Sequence, residues 1–256
     1  MKIVTFNART RWTGDGINSM IHRAGMIYEK IEQERPDVIA FQEFREKHLT
    51  ILERLLPDYT FCGQFRKADY SGEGLYTAIR KETLQILGLE TFWLSPTPYV
   101  AGSRYENQSM CPRICVMTQV RNKKSGQLMR IYNLHLDHQS EEARVLGMKS
   151  VLDYVTAQNQ KAELPTVILG DFNAYPESEA IAMCHTYESG ALRDVTDQIP
   201  TTFHNFGRME KDCKIDYIFV SPSLAKACTE TVTWTDELDG IYLSDHYPVC
   251  ATFSEE

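Results

Sequence analysis

Apolar and polar positions change period repeatedly along the chain, and each change predicts an element. Residues 2–7 (KIVTFN) alternate and are rich in β-formers, which predicts a strand. A polar loop with Gly14-Asp15-Gly16 follows. Asn18 or Ser19 can then cap a helix to about Glu34, with Met20, Ala24, Ile27 and Ile31 on one apolar face. Pro36 ends it. Residues 37–42 (DVIAFQ) are nearly all apolar, as in a strand buried on both faces, and a second helix spans roughly 46–56 before Pro57. Strands are predicted near 59–65, 75–81, 84–93, 113–120 and 128–136. A long amphipathic helix runs from about Ser140 to Gln158, with Glu141 and Glu142 in its first turn, where acidic groups suit the helix dipole. An apolar strand at 166–170, a short helix near 177–184 and strands near 214–221, 228–235 and 247–253 follow.

Strand–helix–strand units mixed with hairpins in both halves predict two packed sheets carrying helices on their outer faces, in a single domain over 1–256. Between Trp93 and Pro112 the chain has Pro96, Pro98, Gly102 and no period. Irregular segments of that length are usually functional or mobile, so substrate selection is expected there, with Trp93, Tyr99, Arg104 and Tyr105 as candidates. Trp12, in the first loop, is a further one.

Composition narrows the partners. The chain has 256 residues, 43% hydrophobic and 24% charged, as in an ordinary soluble protein. No stretch is long and apolar enough for a signal peptide or a membrane span. The seven cysteines are odd in number and irregularly spaced, with no CxxC pair, so they are expected to be reduced and mostly packed, and the cytoplasm is the expected compartment. A formal net charge of −8 and the lack of a basic run weigh against a protein that neutralises many phosphates of nucleic acid.

The candidate chemistry gathers at strand ends. Asn7 and Glu43 end the first two strands, and His135 lies near the end of the strand at 128–136. Asp171 and Asn173 follow strand 166–170, Asp216 lies within 214–221, and Asp245-His246 opens the last strand. Any one of these is ordinary as a turn residue; the collection is not. Hard oxygen groups predominate, which suits Mg²⁺, Mn²⁺ or Ca²⁺ rather than zinc. Such an ion can polarise a phosphoryl oxygen while two histidines donate to phosphate, so metal-assisted phosphoryl hydrolysis leads. A glycosidase built on two carboxylates comes second, because it would not need the His and Asn members.

Six segments occur in the order and spacing of one family: VTFN (4–7), FQE (41–43), NLHLDH (133–138), LPTVILGDFN (164–173), KIDYIF (214–219) and SDHYPV (244–249). Together they resemble the endonuclease/exonuclease/phosphatase family, which includes DNase I-like nucleases and inositol-polyphosphate 5-phosphatases, and in particular a bacterial branch of it. The resemblance implies a four-layer α/β/β/α sandwich, two mixed β-sheets packed face to face with helices outside. It implies that Asn7 and Glu43 hold Mg²⁺ (or Mn²⁺), with Asp245 a second acidic group at the metal. Asp171 would position or deprotonate the attacking water, Asn173 would orient the phosphate or Asp171, and His135 and His246 would contact the scissile phosphate. Asp216 would fix the tautomer of His246. Glu73 would support His135, and Arg113 would contact phosphate. Asp137 and His138 would act behind His135 or cap the next helix.

The expected function is thus metal-dependent hydrolysis of a phosphomonoester or phosphodiester on a small soluble substrate. The alternative is a nuclease acting on DNA or RNA. A non-catalytic binding module of the same fold would have lost at least one motif position, and all are filled here.

Overall fold

The computed structural model describes residues 1–11, 13–187 and 192–254. In chain order these form β1 (Lys2–Asn7), a 3-10 turn (Gly16–Asn18), α1 (Met20–Glu34), β2 (Val38–Phe44), α2 (Glu46–Leu55), β3 (Tyr59–Phe65), β4 (Gly74–Arg80), β5 (Leu84–Trp93), β6 (Ile114–Asn122) and β7 (Leu128–His135). Then come α3 (Glu141–Lys161), β8 (Thr166–Asp171), α4 (Glu179–His185), β9 (Arg193–Asp194), β10 (Asp216–Val220), α5 (Pro222–Ala227), β11 (Cys228–Thr233), β12 (Glu237–Leu238), β13 (Ile241–Tyr242) and β14 (Val249–Phe253). The main strands and helices lie where the periodicity predicts them. The two-residue strands and α5 are too short to impose a period and were not anticipated.

Two six-stranded mixed sheets, ordered β11-β14-β1-β2-β4-β3 and β5-β6-β7-β8-β10-β9, stack face to face. Between them lie Ile3, Val38, Ala40, Ile131, Val167, Leu169, Ile218 and Val249. The outer face of the first sheet packs Val4, Phe6, Ile39 and Phe41 against Met20, Ile27 and Ile31 of α1 and Leu52 of α2. The outer face of the second packs Tyr132, Leu134, Ile168 and Phe219 against Met148, Val151 and Val155 of α3 and Ile181 of α4. The result is the four-layer α/β/β/α sandwich. Helix α3 begins at Ser140, whose Oγ accepts from Ala143 N at 3.1 Å, while Asp137 Oδ1 accepts from Ser140 N at 2.9 Å.

A polar cluster interrupts the apolar layer between the sheets. Gln42 Nε2 donates to Asn133 Oδ1 (2.9 Å) and to the Ala40 carbonyl (2.9 Å), and Gln42 Oε1 accepts from Thr5 Oγ1 (3.4 Å). Asn133 Nδ2 donates across the interface to the carbonyls of Phe41 (3.1 Å) and Tyr76 (3.3 Å). A buried amide pays its desolvation back only when its bonds are made, so this cluster ties β7 of one sheet to β2 and β4 of the other. Asn133→Ala should therefore destabilise the fold by about 1–3 kcal/mol in urea denaturation. The Asn133→Ala/Gln42→Ala double variant should lose less than the sum of the single losses. Strictly additive losses would show that the two amides do not act as a pair.

Candidate active site

The alternation that fills the layer between the sheets also builds the site. Ile3, Thr5 and Asn7 share one face of β1; Val38, Ala40 and Gln42 share one face of β2; Ile131, Asn133 and His135 share one face of β7; Val167, Leu169 and Asp171 share one face of β8. Each inward row thus begins apolar and turns polar at the same end, because β1 and β2 run parallel, as do β7 and β8. Strand β10 runs antiparallel to β8, so its first residue, Asp216, lies in register with Asp171, the last residue of β8. His135 is the parallel partner of Asp171, and Asp245-His246 enters β14 beside the end of β1. Asn7, His135, Asp171, Asp216, Asp245 and His246 all converge, and all are buried at the mouth between the sheets.

Asp171 is the hub. Its Oδ2 accepts from Asn7 Nδ2 at 2.9 Å and lies 3.3 Å from His135 Nε2 and 3.9 Å from His246 Nε2. Its Oδ1 accepts from the backbone N–H of Asn173 at 2.8 Å. Asn173 braces Asp171 through its backbone, while its side chain donates to the Leu136 carbonyl at 3.1 Å. On the far side of His246, Nδ1 meets Asp216 Oδ2 at 2.8 Å, the carboxylate–imidazole pair expected of these residues.

The titrating groups are set to different charges. Burial, and then the Asp216 charge, pushes the Asp171 carboxyl up to about 7. Burial alone would lower His246, but Asp216, Asp171 and Asp245 outweigh it and push it up to about 10. His135 is held well below the ordinary imidazole value by burial and by the nearby Arg113 and Arg66. At neutral pH His246 is therefore an imidazolium and His135 a neutral imidazole, each with a ring nitrogen directed at Asp171.

Glu43 stands at the same mouth, half-buried. Its Oε1 accepts from Asn7 Nδ2 at 3.3 Å and its Oε2 from Thr10 N at 2.9 Å. Strand β2 bulges between Phe41 and Phe44, and Glu43 has φ of 56°. Arg9 (57°) and Asn173 (48°) also lie in the left-handed region, so three strained non-glycine residues border one cleft. The Arg9 guanidinium lies between Asp245 Oδ2 (3.2 Å) and Asp15 Oδ2 (3.1 Å). The Glu43 and Asp245 carboxylates both act on the Arg9 guanidinium. With the Asn7 amide oxygen, which accepts from Arg9 N at 3.0 Å, they form a set of hard oxygen donors whose chemistry suits Mg²⁺ or Mn²⁺. Ligand atoms of Asp171, Asp216 and His246 also lie within 4.8 Å of one another. There, however, His246 Nδ1 is already bound to Asp216, and the raised pKa of the imidazole favours a proton over a metal, so we read that group as a proton-holding chain.

Three sequence expectations change in the structure. Glu73 does not reach His135: it pairs with Arg66 Nη2 (2.5 Å) and Arg45 Nη2 (3.4 Å), and His135 Nδ1 has no hydrogen-bond partner among the described residues. Arg113 lies buried behind His135, its Nη2 against His138 Nδ1 at 2.8 Å and its Nε 3.5 Å from Asp137 Oδ2. In the 93–112 segment Trp93, Arg104 and Tyr105 are engaged within the protein, whereas Tyr99 stays 68% exposed. Trp93 is 4% exposed and donates Nε1–H to the Arg66 carbonyl; Arg104 donates to the Ser109 carbonyl; Tyr105 meets Ser150 on α3; and Tyr99 donates to Glu90. Trp12 lies outside the described residues.

The sequence reading missed residues 201–205 (TTFHN) altogether. Thr202 Oγ1 accepts from the N–H groups of both Ile215 and Asp216 at 3.0 Å. Phe203 pairs with Cys213 on one side and His246 on the other, its ring 4.8 Å from the imidazole, and the N–H groups of His204 and Asn205 hold the Asp245 carbonyl. This stretch fixes Asp216 and His246 relative to each other. Its only sequence signal is a run of β-formers between turn residues, too short to read as a strand.

The sequence profile of the Endonuclease/Exonuclease/phosphatase family matches residues 4–246. An endonuclease/exonuclease/phosphatase from Bacteroides vulgatus has the same fold, with a TM-score of 0.87 at 28% identity over 100% of this chain and 98% of its own. A mannosyl-6-phosphatase from Bacteroides thetaiotaomicron gives 0.87 at 25% identity, with 100% of both chains covered. D. rerio TDP2, solved with a single-stranded DNA product, shares the fold at 0.77 and 20% identity over 100% of this chain and 99% of its own.

In Asp216→Asn, burial acts on His246 against fewer charges. Its pKa should fall from about 10 toward the ordinary imidazole range, as read by NMR titration of the ring. An unchanged titration would show that Asp216 is not what charges His246.

Proposed function

The chain belongs to the endonuclease/exonuclease/phosphatase family, and from that premise we propose that it is a divalent-metal-dependent phosphoesterase acting on a small phosphorylated substrate with Mg²⁺ or Mn²⁺. The observation that carries this reading is the unbroken chain of contacts Asp216–His246–Asp171–Asn7–Glu43 at the mouth between the sheets. Glu43 and Asn7, with Asp245 nearby, would hold the ion. When bound, it would supply charge neutralisation on the phosphoryl group and at the departing oxygen.

The remaining work falls to this chain's own groups. Asp171, with a pKa near 7, is matched to accept the proton of an attacking water. As the new phosphorus–oxygen bond forms, the bond to the departing alkoxide breaks, and the alkoxide takes a proton from solvent. His246, kept cationic by Asp216, offers an N–H and a positive charge to the phosphoryl oxygens, where charge builds in the transition state. Neutral His135 offers a second donor without adding repulsion between two buried cations. Asn173 holds Asp171 in place through its backbone N–H.

A small substrate is favoured over a nucleic-acid duplex because three of the arginines around the cleft are already engaged. Arg9 faces Asp15 and Asp245, while Arg45 and Arg66 face Glu73. A duplex enzyme would present such groups to successive phosphates. The mannosyl-6-phosphatase likeness points the same way. Among the described residues no helix is long and apolar enough to cross a membrane, and the seven cysteines are unpaired, which fits a reducing compartment such as the cytoplasm.

Turnover of phosphoesters should require Mg²⁺ or Mn²⁺ and vanish with EDTA, and Glu43→Gln should weaken metal binding with little change in melting temperature. Asp171→Asn and His246→Ala should each lower kcat by more than about a hundredfold. Full activity without metal would sink the proposal. Small sugar or nucleoside phosphates should be cleaved with kcat/KM at least about ten times that for oligonucleotides, a gap of about 1.4 kcal/mol. Rapid plasmid nicking at ~150 mM salt with no turnover of small esters would make the chain a nuclease instead.

A further inference from the structure

Arg23, on α1, is the largest fully buried side chain and lies outside the motifs that define the site. Its guanidinium lies over the Phe206 ring (6.0 Å), and its hydrogen bonds among the described residues all go to backbone oxygens: Nε donates to Asn18 O (2.7 Å), Nη1 to Leu243 O, and Nη2 to Ala8 O (3.0 Å) and Arg9 O (3.4 Å). No carboxylate among the described residues pairs with it. Burial lowers its pKa to about 10, with Asp245, Asp15 and Glu43 acting from a distance to hold the charge, so it remains a cation at neutral pH. A desolvated cation without an ion-pair partner is costly to keep, and packing alone would be met more cheaply by a leucine or methionine.

What the guanidinium grips explains why it is there. The peptide joining Ala8 to Arg9 gives its carbonyl to Arg23, and its N–H donates to Asn7 Oδ1 at 3.0 Å. The next peptide, Arg9 to Thr10, gives its carbonyl to Arg23 as well, and its N–H donates to Glu43 Oε2 at 2.9 Å. In a trans peptide the C=O and N–H point in opposite directions, so holding the carbonyls from behind aims the two N–H groups into the cleft. The same cation polarises both peptides and strengthens the outward bonds. Through Leu243 O it also fixes the segment leading to Ser244, whose Oγ donates to the Asn7 carbonyl at 2.6 Å.

We propose that Arg23 is a positioning residue for the metal-holding pair, setting Asn7 and Glu43 through the two peptides that follow β1. This rests on the phosphoesterase reading for its functional consequence, though not for its geometry. A lysine, with a single ammonium on a flexible stem, cannot span the same oxygens, so charge alone does not substitute.

The experiment uses the whole 256-residue chain with Arg23→Lys and Arg23→Gln, both studied well below their melting temperatures. In metal-free samples, amide hydrogen exchange at Arg9 and Thr10 should accelerate at least tenfold in both variants, while Ile39 and Val167 in the sheets keep their rates. Calorimetric Mn²⁺ affinity should fall at least tenfold, and KM at saturating metal should change less than threefold. Wild-type exchange rates at Arg9 and Thr10, or a wild-type Mn²⁺ affinity in Arg23→Lys, would overturn the proposal, because a merely structural arginine lowers the melting temperature without loosening those two amides. If neither variant folds, the wild type decides. The Arg23 guanidinium protons and the Arg9 and Thr10 amides should then exchange through one opening, at rates within about threefold, and unrelated rates would overturn it. If the wild type binds no Mn²⁺ and cleaves no phosphoester, the phosphoesterase reading fails while the exchange measurement still decides the role of Arg23.

Discussion

Gln42 and Asn133 meet in the middle of the interface between the two sheets, and their hydrogen bond admits only one way of stacking them. Sliding either sheet by one residue would bring an apolar side chain opposite a buried amide and leave its donors unmet, in addition to turning each strand's apolar row the wrong way. With that register fixed, Asn7 lies beside Gln42 in one sheet, and the next inward position beyond Asn133 in the other holds His135. The Asn7–Asp171 bond is the outermost rung of the same contact. The cleft is therefore an extension of the core, the point where an apolar interface between sheets becomes a polar one.

Beyond that rung, the chain keeps opposite charges close without letting them cancel. Arg23, Arg66 and Arg113 are buried or nearly so, and the carboxylates of Asp171, Asp216 and Asp245 are buried beside them. Side chains bridge some of these groups, but backbone dipoles hold others, which spreads the field over the mouth of the cleft. The result is two histidines, both within 4 Å of one carboxylate, in opposite protonation states. Neighbours on different strands impose that difference: Asp216 from β10 acts on His246, and Arg113 ahead of β6 acts on His135.

The strands, the long helices and the core set of polar strand ends were legible because each repeats a period or terminates one. Asn7, Glu43, His135, Asp171, Asp216 and His246 were found in this way, and the structure brings them together. Residues that work through the aperiodic chain were not legible. Thr202 supports Asp216 from a loop, and Arg23 lies on the buried face of α1 with Met20, Ile27 and Ile31, where a charged residue breaks the apolar pattern that marks a buried position. Glu73 shows the converse: a glutamate placed beside His135 by resemblance is claimed instead by two arginines, because ion pairing in a crowded loop outweighs a weak contact to a neutral imidazole. Trp93 was read as a substrate contact from its neighbours, but its indole N–H needed an acceptor and found the Arg66 carbonyl, which drew it into the protein.

Strands β1 and β14 are paired antiparallel, and the N-terminal ammonium donates to the Phe253 carbonyl, so the two ends of the described chain lie side by side in the middle of one sheet. One side of the cleft is thus made from residues near the start, and the other from Asp245 and His246 near the end. During synthesis on the ribosome the early strands emerge long before β14, leaving that edge of β1 unpaired until β14 follows. Closing this pair joins the most distant parts of the sequence, the kind of contact that slows folding. The cleft consequently cannot form until Asp245 and His246 have joined the early strands, and a nascent chain that lacks them holds no assembled site.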